Sequence, residues 1–164
     1  MSKTDQNLMN AFAGESQANR KYLAYAKQAE KEGLPQAARL FRAAAEAETI
    51  HAHAHLRLAG KIGTTLDNLK DAISGETHEY TDMYPAMIKD ADSEGKKAVH
   101  QYFGYVNAVE EIHAALYKKM LENKGKGEEV EYYICSVCGY THEGPHDGKC
   151  PICGAAPSVF VKVA

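Results

Sequence analysis

A chain of 164 residues with a formal net charge of −3 and 45% hydrophobic residues has the size of one globular domain, or of one domain with a small module. The mild acidity excludes a surface rich enough in Lys and Arg to neutralise nucleic-acid phosphates. No apolar run approaches the roughly 20 residues that span a bilayer, and the first ten residues are polar, so no membrane partner is expected and the expected compartment is the cytoplasm.

Helical patterning fills residues 1–123. Thr4 or Asp5 is the expected cap of a first helix that runs to about Glu32, where Gly33-Leu34-Pro35 breaks it. A second helix follows from Pro35 to about Ala59, with Gly60 as its stop. Thr65 is the expected cap of the third, with Asp67 in its first turn, and Pro85 predicts a kink or an early end. Asp92 or Ser93 is the expected start of a fourth helix that ends at Asn123. Alanine is frequent throughout, and it has the highest intrinsic helix propensity. Four such helices on short turns predict antiparallel neighbours in a four-helix bundle.

Residues 124–131 read as a charged, Gly-containing linker. Beyond them, in 132–164, helical periodicity stops. Tyr132-Tyr133-Ile134 and Val159-Phe160-Val161 are β-prone. A tail of this size cannot hold itself together with an apolar core, so a bound metal is needed to fold it.

The helices repeat one phrase, Glu48-x-x-His51 and Glu110-x-x-His113. Residues three apart share a helix face, so each phrase aims a carboxylate and an imidazole at one point. The other two helices supply Glu15, in an apolar stretch, and Glu76 with Glu79, again three apart. Five carboxylates cannot share a low-dielectric core without cations. Two metal ions satisfy them, and oxygen ligands with two imidazoles suit iron or manganese. The predicted dimetal ligands are therefore Glu15, Glu48, His51, Glu76, Glu79, Glu110 and His113. A single Glu is ordinarily a solvated surface residue; the repeated pairing is what points to metal. Glu46, Glu111, His53, His55, His78 and His100 are read as surface residues or neighbours of the ligands. Tyr22, two turns beyond Glu15, and Tyr84, five residues beyond Glu79, are candidates for hydrogen-bonding a ligand carboxylate and handling protons.

Cys135-x-x-Cys138-Gly139 and Cys150-x-x-Cys153-Gly154 are paired knuckles that suit a tetrahedral thiolate site for zinc or a single iron. The glycines let each loop turn back so that backbone N–H groups face sulfur.

Taken together, Gly14-Glu15-Ser16-Gln17-Ala18-Asn19, Glu48-Thr49-Ile50-His51-Ala52, Gly75-Glu76-Thr77-His78-Glu79, Met83-Tyr84-Pro85, Glu110-Glu111-Ile112-His113-Ala114 and both knuckles resemble the rubrerythrin family over nearly the whole chain. The resemblance implies a mainly α fold, a ferritin-like four-helix bundle followed by a rubredoxin-like module. It implies two irons in a carboxylate-bridged site and one iron on Cys135, Cys138, Cys150 and Cys153, with zinc entering only by misloading. It implies that Glu79 and His51 are ligands in different redox states. The implied activity is reduction of hydrogen peroxide to water, fed by an upstream redox protein or reductase. Two other readings stay open: an oxygen-reducing or ferrous-oxidising di-iron enzyme, and a metal-storage or interaction protein with a structural zinc ribbon. Glu110 lies about 20 Å along its helix from the root of the tail, so the chain's own tail is expected to be remote from its own dimetal ligands. A head-to-tail homodimer shortens that path, and the resemblance points the same way.

Overall fold

The computed structural model describes residues 2–163, which form a mainly helical chain with a small C-terminal β module. The chain divides into two compact units, Met1–Gly63 and Thr64–Ala164.

The first unit is a hairpin of α1 (Lys3–Lys31) and α2 (Pro35–Leu58). Ser2, rather than Thr4 or Asp5, caps α1: its hydroxyl accepts from Asp5 N–H while the Asp5 carboxylate accepts from Ser2 N–H. Gly33, at φ 72°, turns the chain, and Pro35 starts α2 at a position where its missing N–H costs nothing. Among the described residues of this hairpin, the buried ones are Ala26, Ala29, Ala38, Ala45 and Ala52, so the two backbones approach closely. Asn19 on α1 locks the register by donating to Ala45 O and Thr49 Oγ1 on α2, at 2.7 and 2.8 Å.

The second unit begins with α3 (Thr65–His78), continues through a five-residue π-helical segment (Glu79–Met83) and becomes α4 (Tyr84–Ser93). Thr64, one residue before the expected Thr65, caps α3 by accepting from Asp67 N–H. Pro85 does not end the helical run; it falls in the first turn of α4, directly after the π-helical distortion. The wider turn before it, in which Tyr84 N–H reaches Glu79 O, absorbs the extra residue upstream of the missing donor. The expected start of the next helix at Asp92 or Ser93 is incorrect. Those residues close α4, Gly95 turns at φ 68°, and α5 spans Lys97–Glu122. Its cap, Lys96, makes no side-chain capping bond, so capping chemistry is a misleading guide here. Both α3 and α4 pack against α5.

After the stretch between Glu122 and Tyr132 comes a three-stranded antiparallel sheet in the order β2 (Thr141–Glu143), β1 (Tyr132–Cys135), β3 (Phe160–Val163). Ile134 faces Thr141 on one side and Val161 on the other. Among the described residues, no helix is long and apolar enough to cross a membrane.

The β module packs on α5 of the same chain, contrary to the expected separation. Val109 of α5, 1% exposed, is buried with Cys135, Cys138 and Cys150, and Tyr105 packs against the same cluster. Full burial of a Val side chain is worth about 1.5–3 kcal/mol. Lys119 of α5 pairs with Glu143 of β2. The chain turns at 123–125, and the six residues 126–131 that follow reach about 20 Å when extended, enough to run back along a helix; this defeats the argument from distance along α5.

Candidate metal centres

Each unit builds one carboxylate–imidazole triad. In the first, Glu15 of α1 meets Glu48 and His51 of α2, with one ligand atom from each inside a 4.8 Å cluster. His51 Nδ1 lies 2.8 Å from Glu48 Oε2; the imidazole is half-exposed and the carboxylate largely covered. In the second, Glu76 of α3 meets Glu110 and His113 of α5 under the same limit. His113 Nδ1 lies 2.8 Å from Glu110 Oε2 and 3.9 Å from Glu76 Oε2. Both histidines thus present the same nitrogen to their carboxylates, as the shared i, i+3 spacing requires.

Burial pushes the Glu76 carboxyl up to about 7, aided by its hydrogen bond to Glu110 and by the Glu110 and Glu79 charges. Glu79 is also raised, by burial and then by Glu110, while His78 and His113 oppose the shift. Carboxyls crowded in this way favour a proton or a cation between them. Oxygen and imidazole donors on the second unit therefore fit a hard, redox-active ion such as iron. Glu79 lies outside the triad and opens the π-helical segment, close enough for its charge to act on Glu76.

The two tyrosines are placed by packing. Tyr22 lies 6.3 Å from the Tyr25 and Phe41 rings, and Tyr84 lies 5.8 Å from Phe103. Among the described residues, neither hydroxyl is hydrogen-bonded to a carboxylate of the triads. Burial, and then the charges of Glu110, Glu79 and Glu76, raise the Tyr84 phenol, which keeps its proton near the second triad.

The cysteine knuckles are built alike. Cys135 N–H donates to Tyr140 O and Gly139 N–H to Cys135 O; Cys150 N–H donates to Ala155 O and Gly154 N–H to Cys150 O, all at 2.9 Å. Gly139 and Gly154 adopt φ 85° and 73°, a region that a Cβ disfavours. Sulfur pairs stand 3.7 Å apart for Cys135 and Cys153 and 3.6 Å apart for Cys138 and Cys150. A metal–sulfur bond of about 2.3 Å gives tetrahedral S···S edges of about 3.8 Å, so four thiolates fit one ion. Burial pushes the Cys138 thiol up. Cys150, against its own burial, is drawn down to about 7 by the backbone N–H groups of Cys153 and Ile152.

One contact had no signal in the sequence. His113 Nε2 lies 3.0 Å from Thr141 Oγ1, which joins the second triad to the first residue of β2. A Thr two residues after a knuckle glycine is unremarkable until the module is seen on α5.

Comparison with known proteins agrees with this geometry. The family model described as rubrerythrin matches residues 6–121, and the model described as the rubredoxin-like domain of rubrerythrin matches residues 133–161. The chain is 37% identical to rubrerythrin-1 of Clostridium acetobutylicum, over 92% of this chain and 89% of the relative. It is 36% identical to nigerythrin of Nitratidesulfovibrio vulgaris, over 96% and 85%. Solved nigerythrin structures in partially reduced and all-ferrous states each superpose with a TM-score of 0.59 at 33% identity, covering 99% of this chain and 88% of theirs. Carboxylate and histidine ligands in the ferritin-like helices, four cysteines in a rubredoxin-like module, and sequence similarity along almost the whole length lead to one conclusion: the chain belongs to the rubrerythrin family, as a di-iron redox protein with an additional iron site on four cysteines.

Proposed function

We propose that this chain is a peroxidase that reduces hydrogen peroxide to water with electrons relayed through its four-cysteine site. In this reading Glu15, Glu48, His51, Glu76, Glu110 and His113 hold two irons, and Glu79 is a ligand in one redox state. Cys135, Cys138, Cys150 and Cys153 hold the third iron. Residues 1–123 form the di-iron part, 124–131 the linker and 132–164 the relay. When bound, the ferrous pair supplies the two electrons that, with two protons, convert one peroxide to two waters.

The protein's own groups supply the protons and keep them in place. Glu79 stands beside the second triad without belonging to it, and its raised affinity for a proton suits a carboxyl that gives one to departing hydroxide and is then recharged. Tyr84 keeps its phenolic proton in the field of three carboxylates and serves as a neutral donor. Glu76 surrenders its proton when a cation takes its place, which couples metal loading to proton release.

The observation that carries the reading is the burial of Val109, the residue before Glu110, among Cys135, Cys138 and Cys150. A structural zinc ribbon has no reason to sit on the helix that carries dimetal ligands, whereas an electron relay does. The electron source is a separate redox protein or reductase. A head-to-tail homodimer is retained on family resemblance alone. The cytoplasm is the proposed compartment, because it keeps four thiols reduced and available to metal.

Rapid mixing of the fully reduced, iron-loaded protein with peroxide and, separately, with dioxygen tests the proposal. Faster oxidation by peroxide supports it; faster oxidation by dioxygen overturns it in favour of an oxygen-reducing enzyme. A colourless cysteine site in protein loaded with iron alone overturns the relay.

A further inference from the structure

The Thr141 hydroxyl has a single proton, and its two hydrogen-bond partners determine where that proton points. Thr141 Oγ1 lies 3.2 Å from Gly139 O, a carbonyl that can only accept, so the hydroxyl donates there. The same oxygen lies 3.0 Å from His113 Nε2 and has only a lone pair left to offer. His113 must therefore carry its proton on Nε2, an assignment made from the hydrogen-bond network. Nδ1 faces Glu110 Oε2 and Glu76 Oε2, where the triad converges, and is the nitrogen left for a metal ion to take. The cavity of about 310 Å³ beside this bond is lined largely by Leu69, Leu116, Tyr117 and Met120, and so offers Nε2–H mostly carbon as an alternative.

The same two hydrogen bonds bridge the sites. Gly139 follows Cys138 directly, so a route runs from the Cys138 thiolate through one peptide to Gly139 O, across the Thr141 hydroxyl, and into the His113 ring. The buried knuckle against Val109 keeps this segment seated on α5.

We propose that Thr141 is a positioning residue with two effects: it holds the His113 imidazole in the tautomer that ligates through Nδ1, and it couples the cysteine-bound iron to that ligand within one chain. The inference rests on the peroxidase reading for its second effect only. Three full-length proteins test it: wild type, Thr141→Val, which keeps the shape but removes the hydroxyl, and Thr141→Ser, which keeps the hydroxyl. An unchanged ferric tetrathiolate spectrum and an unchanged midpoint potential of that iron establish that each variant folds.

The first readout is the ¹⁵N chemical shift pair of His113 in protein with iron confined to the four cysteines. Wild type and Thr141→Ser show a protonated Nε2; Thr141→Val shows a mixture of tautomers. The second readout is the rate at which the ferrous tetrathiolate site reoxidises when fully reduced protein meets peroxide. That rate falls about tenfold or more in Thr141→Val and recovers in Thr141→Ser. An unchanged tautomer or an unchanged reoxidation rate in Thr141→Val overturns the proposal. If the wild-type tetrathiolate site is not reoxidised by peroxide at all, the peroxidase reading fails and takes the coupling effect with it, while the tautomer measurement still decides whether Thr141 sets the ring.

Discussion

Replacing Glu76 with Gln stabilises the metal-free protein at alkaline pH. The folded chain raises this carboxyl from 4.5 to about 7, through burial first and then through Glu110 and Glu79. At about 1.4 kcal/mol per pH unit, the shift corresponds to roughly 3 kcal/mol against the ionised form. The side chain is partly exposed, and solvent screening reduces this to about 1–2 kcal/mol. The sign follows from linkage. A group whose pKa is raised on folding contributes stability that is complete below its unfolded value of 4.5 and disappears as pH rises through about 7. Wild type therefore carries the full penalty at pH 8 and little of it at pH 5, whereas Gln is neutral at both. Thermal melts of metal-free wild type and Glu76→Gln at the two pH values isolate the effect, because contributions common to both proteins cancel. The variant melts about 2–6 °C higher at pH 8 and within about 1 °C at pH 5. Melting at or below wild type at pH 8, or an equal offset at both pH values, refutes the claim that carboxylate crowding strains the second triad.

Glu79→Ala leaves the helices folded and metallated but slows steady-state peroxide turnover by about 10–100-fold, measured by peroxide consumption. Cys138→Ser abolishes the red ferric tetrathiolate absorption and steady-state turnover with an electron donor, while the reduced dimetal site still consumes peroxide once in a single-turnover experiment. Full steady-state activity in that variant contradicts the relay. Stripping metal from the four cysteines melts the β module and leaves the helices, so far-ultraviolet circular dichroism retains its helical signal while amide exchange becomes fast over 132–163.

The parts of the molecule legible in the sequence are those set by local periodicity. Glu48 and His51, like Glu110 and His113, meet because three residues make nearly one helical turn, and no tertiary knowledge is needed for that. The knuckles are equally local, since Gly139 and Gly154 close loops of a few residues. Errors begin where two local signals compete. Asp92, Ser93 and Glu94 look like the opening of a helix, but Gly95 with its positive φ makes them the end of one. Pro85 reads as a kink or an end, and the helical run continues past it after a π-helical segment just upstream. The remaining features are long-range. Nothing in the composition of residues 124–131 says that the chain doubles back so that Val109 is covered by cysteines, and Thr141 acquires a role only through that return. Grouping of the candidate ligands by threes, Glu15 with Glu48 and His51, Glu76 with Glu110 and His113, likewise depends on which helices pair.

The most direct test of the account is an anomalous difference map at the iron edge from crystals of anaerobically reconstituted protein. The account predicts three iron peaks per chain: one within four cysteine sulfurs, and two bound by the carboxylates of Glu15, Glu48, Glu76 and Glu110 and the Nδ1 atoms of His51 and His113. Peaks confined to the cysteines, with the two triads bare after full iron loading, contradict it.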